Sequence, residues 1–91
     1  MSVRVALPPI LRNAAGGQRM LEAEGDTVAT VLSDLATRHP ALALHLADEA
    51  GVIRRNIVVL HDGVLVRAHE AAGHPVARDD ELVLTNALAG G

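Results

Sequence analysis

Aliphatic residues recur at every second position at the start of the chain, and this alternation is typical of a β-strand with one buried face. Pro8 and Pro9 are expected to end the strand, because proline has no N–H group for pairing. Residues 10–17 have the composition of a loop, and residues 18–23 are predicted to return as a second, antiparallel strand. The positions predicted to face inward are Val3, Val5, Leu7, Leu21 and Ala23.

The clearest predicted helix follows Gly25-Asp26-Thr27. Either Asp26 or Thr27 is suited to accept hydrogen bonds from the amides of the first turn. Pro40 should end this helix near His39, since the residue before a proline disfavours the helical conformation. A short second helix is predicted over residues 41–46. One apolar stripe runs along the main helix: Val28, Val31, Leu32 and Leu35.

Three further strands are predicted in the second half of the chain. Residues 56–60 are almost wholly aliphatic, so this strand is expected to be central or covered on both faces. His61-Asp62-Gly63 predicts a tight reversal into residues 64–67, because Asp-Gly between apolar runs favours a hairpin. Residues 68–77 are expected to lack regular structure. A charged turn at 78–80 precedes the last strand, with Leu82 and Leu84 inward and Val83 outward.

The composition points to one small domain with an aliphatic core. The 91 residues include 49% hydrophobic residues but neither aromatic residues nor cysteine. The absence of cysteine excludes disulfides, thiolate catalysis and cysteine-ligated iron–sulfur clusters. The first residues do not resemble a signal peptide, and no apolar run approaches the roughly 18 residues of a membrane span. A cytoplasmic location is therefore expected.

The charges argue against nucleic-acid binding. The formal net charge is −3, and all eight basic residues are arginines without a cluster along the sequence. Because lysine is absent, any acylation that this chain undergoes must use its C-terminus as the donor. The five histidines lack the spacing of a metal site, and no Ser/His/Asp set stands in a nucleophile-elbow context, so neither a metal site nor catalytic residues are predicted.

The sequence ends in a Gly-Gly pair a few residues beyond the last predicted strand. Without Cβ atoms, Gly90 and Gly91 can enter a channel too narrow for side chains. The carboxylate of Gly91 is unreactive until a partner enzyme converts it to an acyl-adenylate, which sulfide or an amine can attack. The alternative is a frayed terminus, because small residues are common at chain ends.

The predicted order is strand, strand, helix, strand, strand, strand, which is an α+β arrangement. In this order, and in four short motifs, the chain resembles the ubiquitin-like (β-grasp) sulfur carriers, the family of the thiazole-pathway carrier and of the small subunit of molybdopterin synthase. The family usually has Gly-Asp at Asp79-Asp80 and often has proline at Asn86. The motifs are Gly25-Asp26-Thr27-Val28, Asn56-Ile57-Val58-Val59, residues 79–84, and Ala87-Leu88-Ala89-Gly90-Gly91.

The resemblance implies a mixed sheet of about five strands with one main helix packed on one face. Residues 1–87 would form the ubiquitin-like β-grasp domain, and residues 88–91 a flexible tail ending in Gly-Gly. The Pro9-Ile10-Leu11-Arg12 run, Gly16-Gly17 and the chain length favour the carriers of a cysteine-forming route.

The resemblance also implies a function. An ATP-dependent enzyme of the ubiquitin-activating type would adenylate Gly91, and sulfide would replace AMP to give a thiocarboxylate. A second partner, such as a cysteine synthase-like enzyme or the large subunit of molybdopterin synthase, would accept the sulfur. The chain would then be a co-substrate rather than an enzyme, with no bound cofactor, and ATP would be used by the activating partner. Gly90 would pass through the partner's channel.

Partner docking is assigned to the sheet face opposite the helix. By strand alternation Val58, Leu60 and Val83 point outward, and Leu88 lies at the base of the tail, so these residues form a candidate apolar docking patch. The alternative is that residues 68–77 cover Val58 and Leu60.

Three other functions remain open at this point. The chain could be the small subunit of a molybdopterin-synthase-like complex, a protein modifier that forms isopeptide bonds, or a β-grasp binding module without acyl chemistry. The sequence identifies neither the sulfur acceptor nor the oligomeric state.

Overall fold

Five strands and three α-helices make up residues 2–86, the part of the chain that this computed structural model describes. The strands pair in the order β2-β1-β5-β3-β4. The elements in chain order are β1 (Ser2–Ala6), α1 (Pro9–Arg12), β2 (Met20–Glu24), α2 (Val28–Arg38), α3 (Pro40–Leu46), β3 (Ile57–His61), β4 (Val64–Arg67) and β5 (Glu81–Asn86), with 3₁₀ turns at Asn13–Ala15 and Ala68–Gly73.

The sheet is mixed, as predicted. β1 and β5 are parallel, with Val5 opposite Leu82, whereas the β1–β2, β3–β4 and β3–β5 pairs are antiparallel. Because β5 lies between β1 and β3, the strand that leads to the C-terminal residues is hydrogen-bonded on both edges. The predicted β-grasp architecture is confirmed.

The core lies between the sheet and helix α2 and is entirely aliphatic among the described residues. The predicted stripe of α2 is fully buried, with Val28, Val31 and Leu35 at 0% exposure. The inward-facing positions of the strands are buried opposite it: Val3, Val5, Leu21, Ala23, Ile57, Val59, Val66, Leu82 and Leu84. None of the helices in the described residues is long and apolar enough to cross a membrane.

Thr27, rather than Asp26, caps the N-terminus of α2. The Thr27 hydroxyl accepts a hydrogen bond from the Thr30 amide at 3.1 Å, and the Thr30 hydroxyl accepts one from the Thr27 amide at 2.9 Å. This reciprocal pair satisfies two amides that would otherwise lack a partner. The helix ends at Arg38, with His39 as its C-cap residue before Pro40, as expected.

Two aspartates occupy backbone conformations that most residues avoid. Asp62 has φ 52° and Gly63 has φ 80°, as the predicted tight hairpin between β3 and β4 requires. Asp79 has φ 68° at the position where the resembled family usually has glycine. Aspartate tolerates this left-handed region better than most residues do, which explains the substitution.

Two segments predicted as irregular contain helical structure. Pro8 caps α1 and Pro9 is its first residue, where the missing N–H of proline costs nothing. Leu11 lies in this helix, within the connection between β1 and β2, and is only 1% exposed. Residues 68–77 begin with a 3₁₀ turn that buries Ala71. Helices of four to six residues are too short to show a periodic pattern.

Gly25 provides a test of how closely α2 approaches the end of β2. A Cβ atom at this position would lie 2.5 Å from the Thr30 hydroxyl and 2.7 Å from the Val31 amide nitrogen. Because Val31 N is backbone, the first turn of the helix would have to move. We expect Gly25→Ala to lower the free energy of unfolding by about 1–3 kcal/mol, measured by urea denaturation. Gly73→Ala is the matched control, because a Cβ at Gly73 would meet no atom within 4 Å. Equal unfolding midpoints for the two variants would contradict this prediction.

Candidate docking face and donor tail

The residues predicted for acyl chemistry lie beyond the described part of the chain. Gly90, Gly91 and Leu88 follow Asn86, the last residue of β5, which pairs with Ile57 of β3. The structure therefore fixes where the tail begins: at the end of an inner strand, beside the first residue of β3.

One apolar row crosses the outward face of the sheet, which is the face away from α2. Each strand contributes one side chain, and the register places these residues side by side. Val83 is 37% exposed, and the outermost members Met20 and Leu65 are 40% and 55% exposed. Ala6 and Leu60, which lie between them, are half-buried. In spatial order the row consists of Met20, Ala6, Val83, Leu60 and Leu65.

This apolar row includes two of the four residues that the sequence predicts for docking. Leu60 and Val83 are register partners, so their side chains are neighbours on the outward face. Met20, Ala6 and Leu65 were missed, because alternation predicts the face that a residue occupies but not which strands are adjacent.

Val58 lies on the predicted face but is not exposed. Its register partners are Thr85 on one side and Arg67 on the other, and only 5% of Val58 is exposed. Side chains of an inner strand are shielded by their cross-strand neighbours. The expectation that Val58 contributes accessible docking area is therefore wrong.

Residues 68–77 do not cover the outward face. Ala71 and Val76 belong to the core on the opposite side. The Val28 amide donates to the His74 carbonyl at 3.0 Å, and the Val76 amide donates to the Asp26 carbonyl at 2.9 Å, which ties the segment to the start of α2. Residues 68–77 therefore do not cover Val58 and Leu60, although Val58 is buried and Leu60 is half-buried.

Charged and polar rows border the apolar row. On one side Arg4 stands between Glu22 and Glu81 in register. On the other side, toward the end of β5, Thr85, Val58 and Arg67 form the next row. An apolar centre within a polar surround is the usual anatomy of a protein-binding surface.

A hydrogen-bonded cluster lies near the start of β5, at the end of the sheet away from Asn86. It consists of His61, His74 and Asp80. Nδ1 of His61 lies 2.8 Å from Nε2 of His74, and Nε2 of His61 lies 2.8 Å from Oδ2 of Asp80. The same Asp80 oxygen accepts a hydrogen bond from the Ala77 amide at 2.8 Å. The cluster joins the end of β3, the segment after the 3₁₀ turn, and the turn before β5.

Asp80 is a structural acceptor rather than a freely solvated charge. The Ala77 amide, and then the hydrogen bond from His61, hold the pKa of the Asp80 carboxyl below its usual value. The sequence separations of 13 and 19 residues explain why the cluster was not foreseen. Within residues 2–86, no group of three or more His, Cys, Asp and Glu side chains is placed to hold a metal ion.

A model of the ThiS family matches residues 5–91, a range that begins in β1 and includes the terminal glycines. The chain belongs to the ThiS family. Over 93 aligned residues it is 32% identical to sulfur carrier protein CysO of Mycobacterium tuberculosis, with 100% of both chains covered.

Two solved structures extend this comparison from sequence to fold. A chain of the Amycolatopsis orientalis BexX/CysO complex superposes with a TM-score of 0.79 at 34% identity, covering 98% of this chain and 99% of that one. SAMP1 of Haloferax volcanii superposes with a TM-score of 0.78 at 31% identity, covering 100% of both. The resemblance to ubiquitin-like carriers that the motifs indicate is confirmed for the whole ThiS-family chain.

The Asp80 cluster predicts how stability depends on pH. Because the native pKa of Asp80 is lowered, its carboxylate contributes stability that is complete above the ordinary aspartate value of about 3.9 and is lost as the pH falls through the native pKa. We expect Asp80→Asn to unfold at lower urea concentration at neutral pH, with the difference from wild type shrinking on acidification. Asp79→Asn is the control, because this substitution leaves the contacts of the cluster in place. If the difference in urea midpoint between wild type and Asp80→Asn stays constant as the pH falls from neutral to below about 3.9, the structural role assigned to Asp80 is contradicted.

Proposed function

We propose that this chain is a sulfur carrier protein whose C-terminal glycine, Gly91, is adenylated and converted to a thiocarboxylate that donates sulfide in biosynthesis. The observation that carries the proposal is the full-length match to the ThiS family and to CysO, which runs through the terminal glycines. The match to CysO favours a cysteine-forming route. The chain acts as a co-substrate in the cytoplasm, and its partners perform the catalysis.

The proposed chemistry occurs on the carboxyl group. The Gly91 carboxylate attacks the α-phosphate of ATP, giving an acyl-adenylate and pyrophosphate. A sulfide nucleophile then attacks the acyl carbon and expels AMP, leaving the carboxyl group with sulfur in place of one oxygen. This chain needs no cofactor of its own, since ATP binds to the activating enzyme.

The domain contributes the placement of the tail. Five residues follow Asn86, and five extended residues span at most about 18 Å. The acyl carbon therefore reaches an active site only when the end of β5 lies within that distance of it. The lack of side chains at Gly90 and Gly91 suits them to a narrow channel.

Two partners are proposed: an ATP-dependent activating enzyme of the ubiquitin-activating type and a sulfur-accepting biosynthetic enzyme. The solved BexX/CysO complex supports the idea that carriers of this type form stable complexes with other proteins. We assign docking to the apolar row on the outward face, because it is exposed, apolar and close to β5. Leu88, at the base of the tail, would extend this contact.

The carrier function is tested by intact mass. Incubation with an activating enzyme, ATP and a sulfide source should raise the mass by the difference between one sulfur and one oxygen atom. Deletion of Gly91 should abolish the gain. Gly90→Val should reduce it severely, because the valine side chain obstructs the channel.

The sulfur-carrier proposal is refuted if activating enzymes that are shown to be active on their own carriers leave the mass of this chain unchanged. An undiminished gain in Gly90→Val would refute the narrow channel alone.

The docking assignment is tested by introducing a charge into the apolar row. Val83→Asp should weaken binding to the activating enzyme by about tenfold or more, because a central apolar contact is replaced by a carboxylate that must be desolvated. Leu44→Asp is the matched control, since Leu44 is 74% exposed and lies on α3, away from the sheet face. Equal affinities of the two variants, measured by titration calorimetry, would exclude the row as the docking surface.

The match to SAMP1, a small archaeal modifier protein, favours protein modification as a second candidate function. In that case a lysine amine of a target attacks the acyl carbon of the adenylate, forming an isopeptide bond and releasing AMP. Higher-mass conjugates that survive reduction would then accumulate in cells. Because the chain contains no lysine, these conjugates would not be polymers linked through its own side chains.

A further inference from the structure

The arginines that lack an acidic partner are concentrated at one end of the sheet. In the described residues, Arg38 is the only arginine whose guanidinium group has a carboxylate within 4.0 Å. The backbone amide of Arg67, but not its guanidinium group, donates to the Glu70 carboxylate at 3.0 Å. Arg67 lies on the outward face beside Val58, whose other register partner is Thr85 of β5. Arg55 precedes Ile57, the partner of Asn86, by two positions. Both arginines are exposed, and both line one surface groove together with Ile53 and His69.

Two further arginines lie at the same end. The Arg19 carbonyl accepts a hydrogen bond from the Leu7 amide, just beyond the end of β1, and Arg12 donates from Nε to the Leu7 carbonyl at 3.2 Å. Since β1 and β5 are parallel, both strands run toward this end of the sheet, and β1 ends opposite Val83.

Acidic residues collect at the other end of the sheet. Asp79 and Asp80 precede β5, Glu81 begins it, and Asp62 occupies the turn between β3 and β4. Negative charge therefore collects near the start of β5 and positive charge near its end, in a chain whose formal net charge is −3. The tail leaves from the basic end.

We propose that Arg55 and Arg67 form a basic collar that binds carboxylate side chains around the mouth of the channel in the activating enzyme. This inference rests on the proposed sulfur-carrier function. Because Gly91, the proposed acyl residue, is the fifth residue after Asn86, an enzyme that holds the acyl carbon must lie within about 18 Å of this end of the domain. A surface that faces unpaired guanidinium groups at this range is stabilised by acidic residues.

The nucleotide itself is not the ligand of the collar. The adenylate forms on Gly91, the fifth residue after Asn86, whereas Arg67 lies in the row that contains Thr85. The collar therefore orients the carrier as it docks. Removing its charge should weaken association with the activating enzyme and leave the chemical step unchanged.

The experiment measures ATP–pyrophosphate exchange by an activating enzyme that thiocarboxylates the wild-type carrier, over a range of carrier concentrations. The double variant R55E/R67E should show kcat/KM for the carrier reduced by about tenfold or more at low salt, with kcat nearly unchanged. The defect should shrink as the salt concentration rises, because exposed charges are screened.

Two further variants separate charge from folding. Arg78→Glu makes the same substitution on an exposed arginine at the acidic end and should leave kcat/KM unchanged. R55K/R67K keeps both charges and should retain most of the wild-type value. Urea midpoints confirm that every variant is folded.

The outcomes distinguish the two proposals. A wild-type carrier that no activating enzyme thiocarboxylates refutes the sulfur-carrier function and this inference with it. A wild-type carrier that is thiocarboxylated normally, with R55E/R67E equal to Arg78→Glu, refutes the basic collar alone. A salt-independent loss in R55E/R67E, or an equal loss in R55K/R67K, also refutes it, because the effect would then not be electrostatic.

Discussion

The parallel pairing of β1 with β5 is the constraint on which the rest of the structure depends. It joins the beginning of the chain to its end, so the central strand of the sheet forms only after nearly the whole sequence is in place. Val5 and Leu82 are partners in this pairing and both are fully buried. β3 pairs with the other edge of β5 as far as Asn86, so the first half of β5 has strand neighbours on both sides and its second half is paired with β3.

The register of that pairing also creates the outward face. Side chains alternate along a strand, so a shift of one residue would exchange Val83 with Leu82 or Leu84. Two leucines would then be exposed and the core would lose their packing. The same register that satisfies the core thus aligns Val83 with Ala6 and Leu60. An apolar row for binding and an aliphatic core for folding come from one set of strand pairings.

Local patterns were enough to predict most elements, because each element carries its own period. The stripe of α2, the alternation of β1 and the Asp-Gly hairpin are all visible within a few residues of sequence. Partnerships between distant strands are not visible in this way. The burial of Val58 depends on Thr85 and Arg67, and the Asp80 cluster depends on His61 and His74, which no local period connects. The apolar row on the outward face was therefore predicted in outline: Val58 is buried rather than exposed, and three members of the row were missed. Its role in docking stays a prediction.

The choice of arginine over lysine is consistent with the proposed chemistry of the tail. An acyl-adenylate at Gly91 is an electrophile, and a lysine amine on the same domain would be a competing acceptor at high effective concentration. A guanidinium group stays protonated and has no free lone pair for attack. All eight basic residues of this chain are arginines, so its side chains carry positive charge without carrying an amine nucleophile. Positive charge such as that of Arg55 and Arg67 can therefore lie near the end of β5 without supplying an amine that would consume the proposed acyl-adenylate.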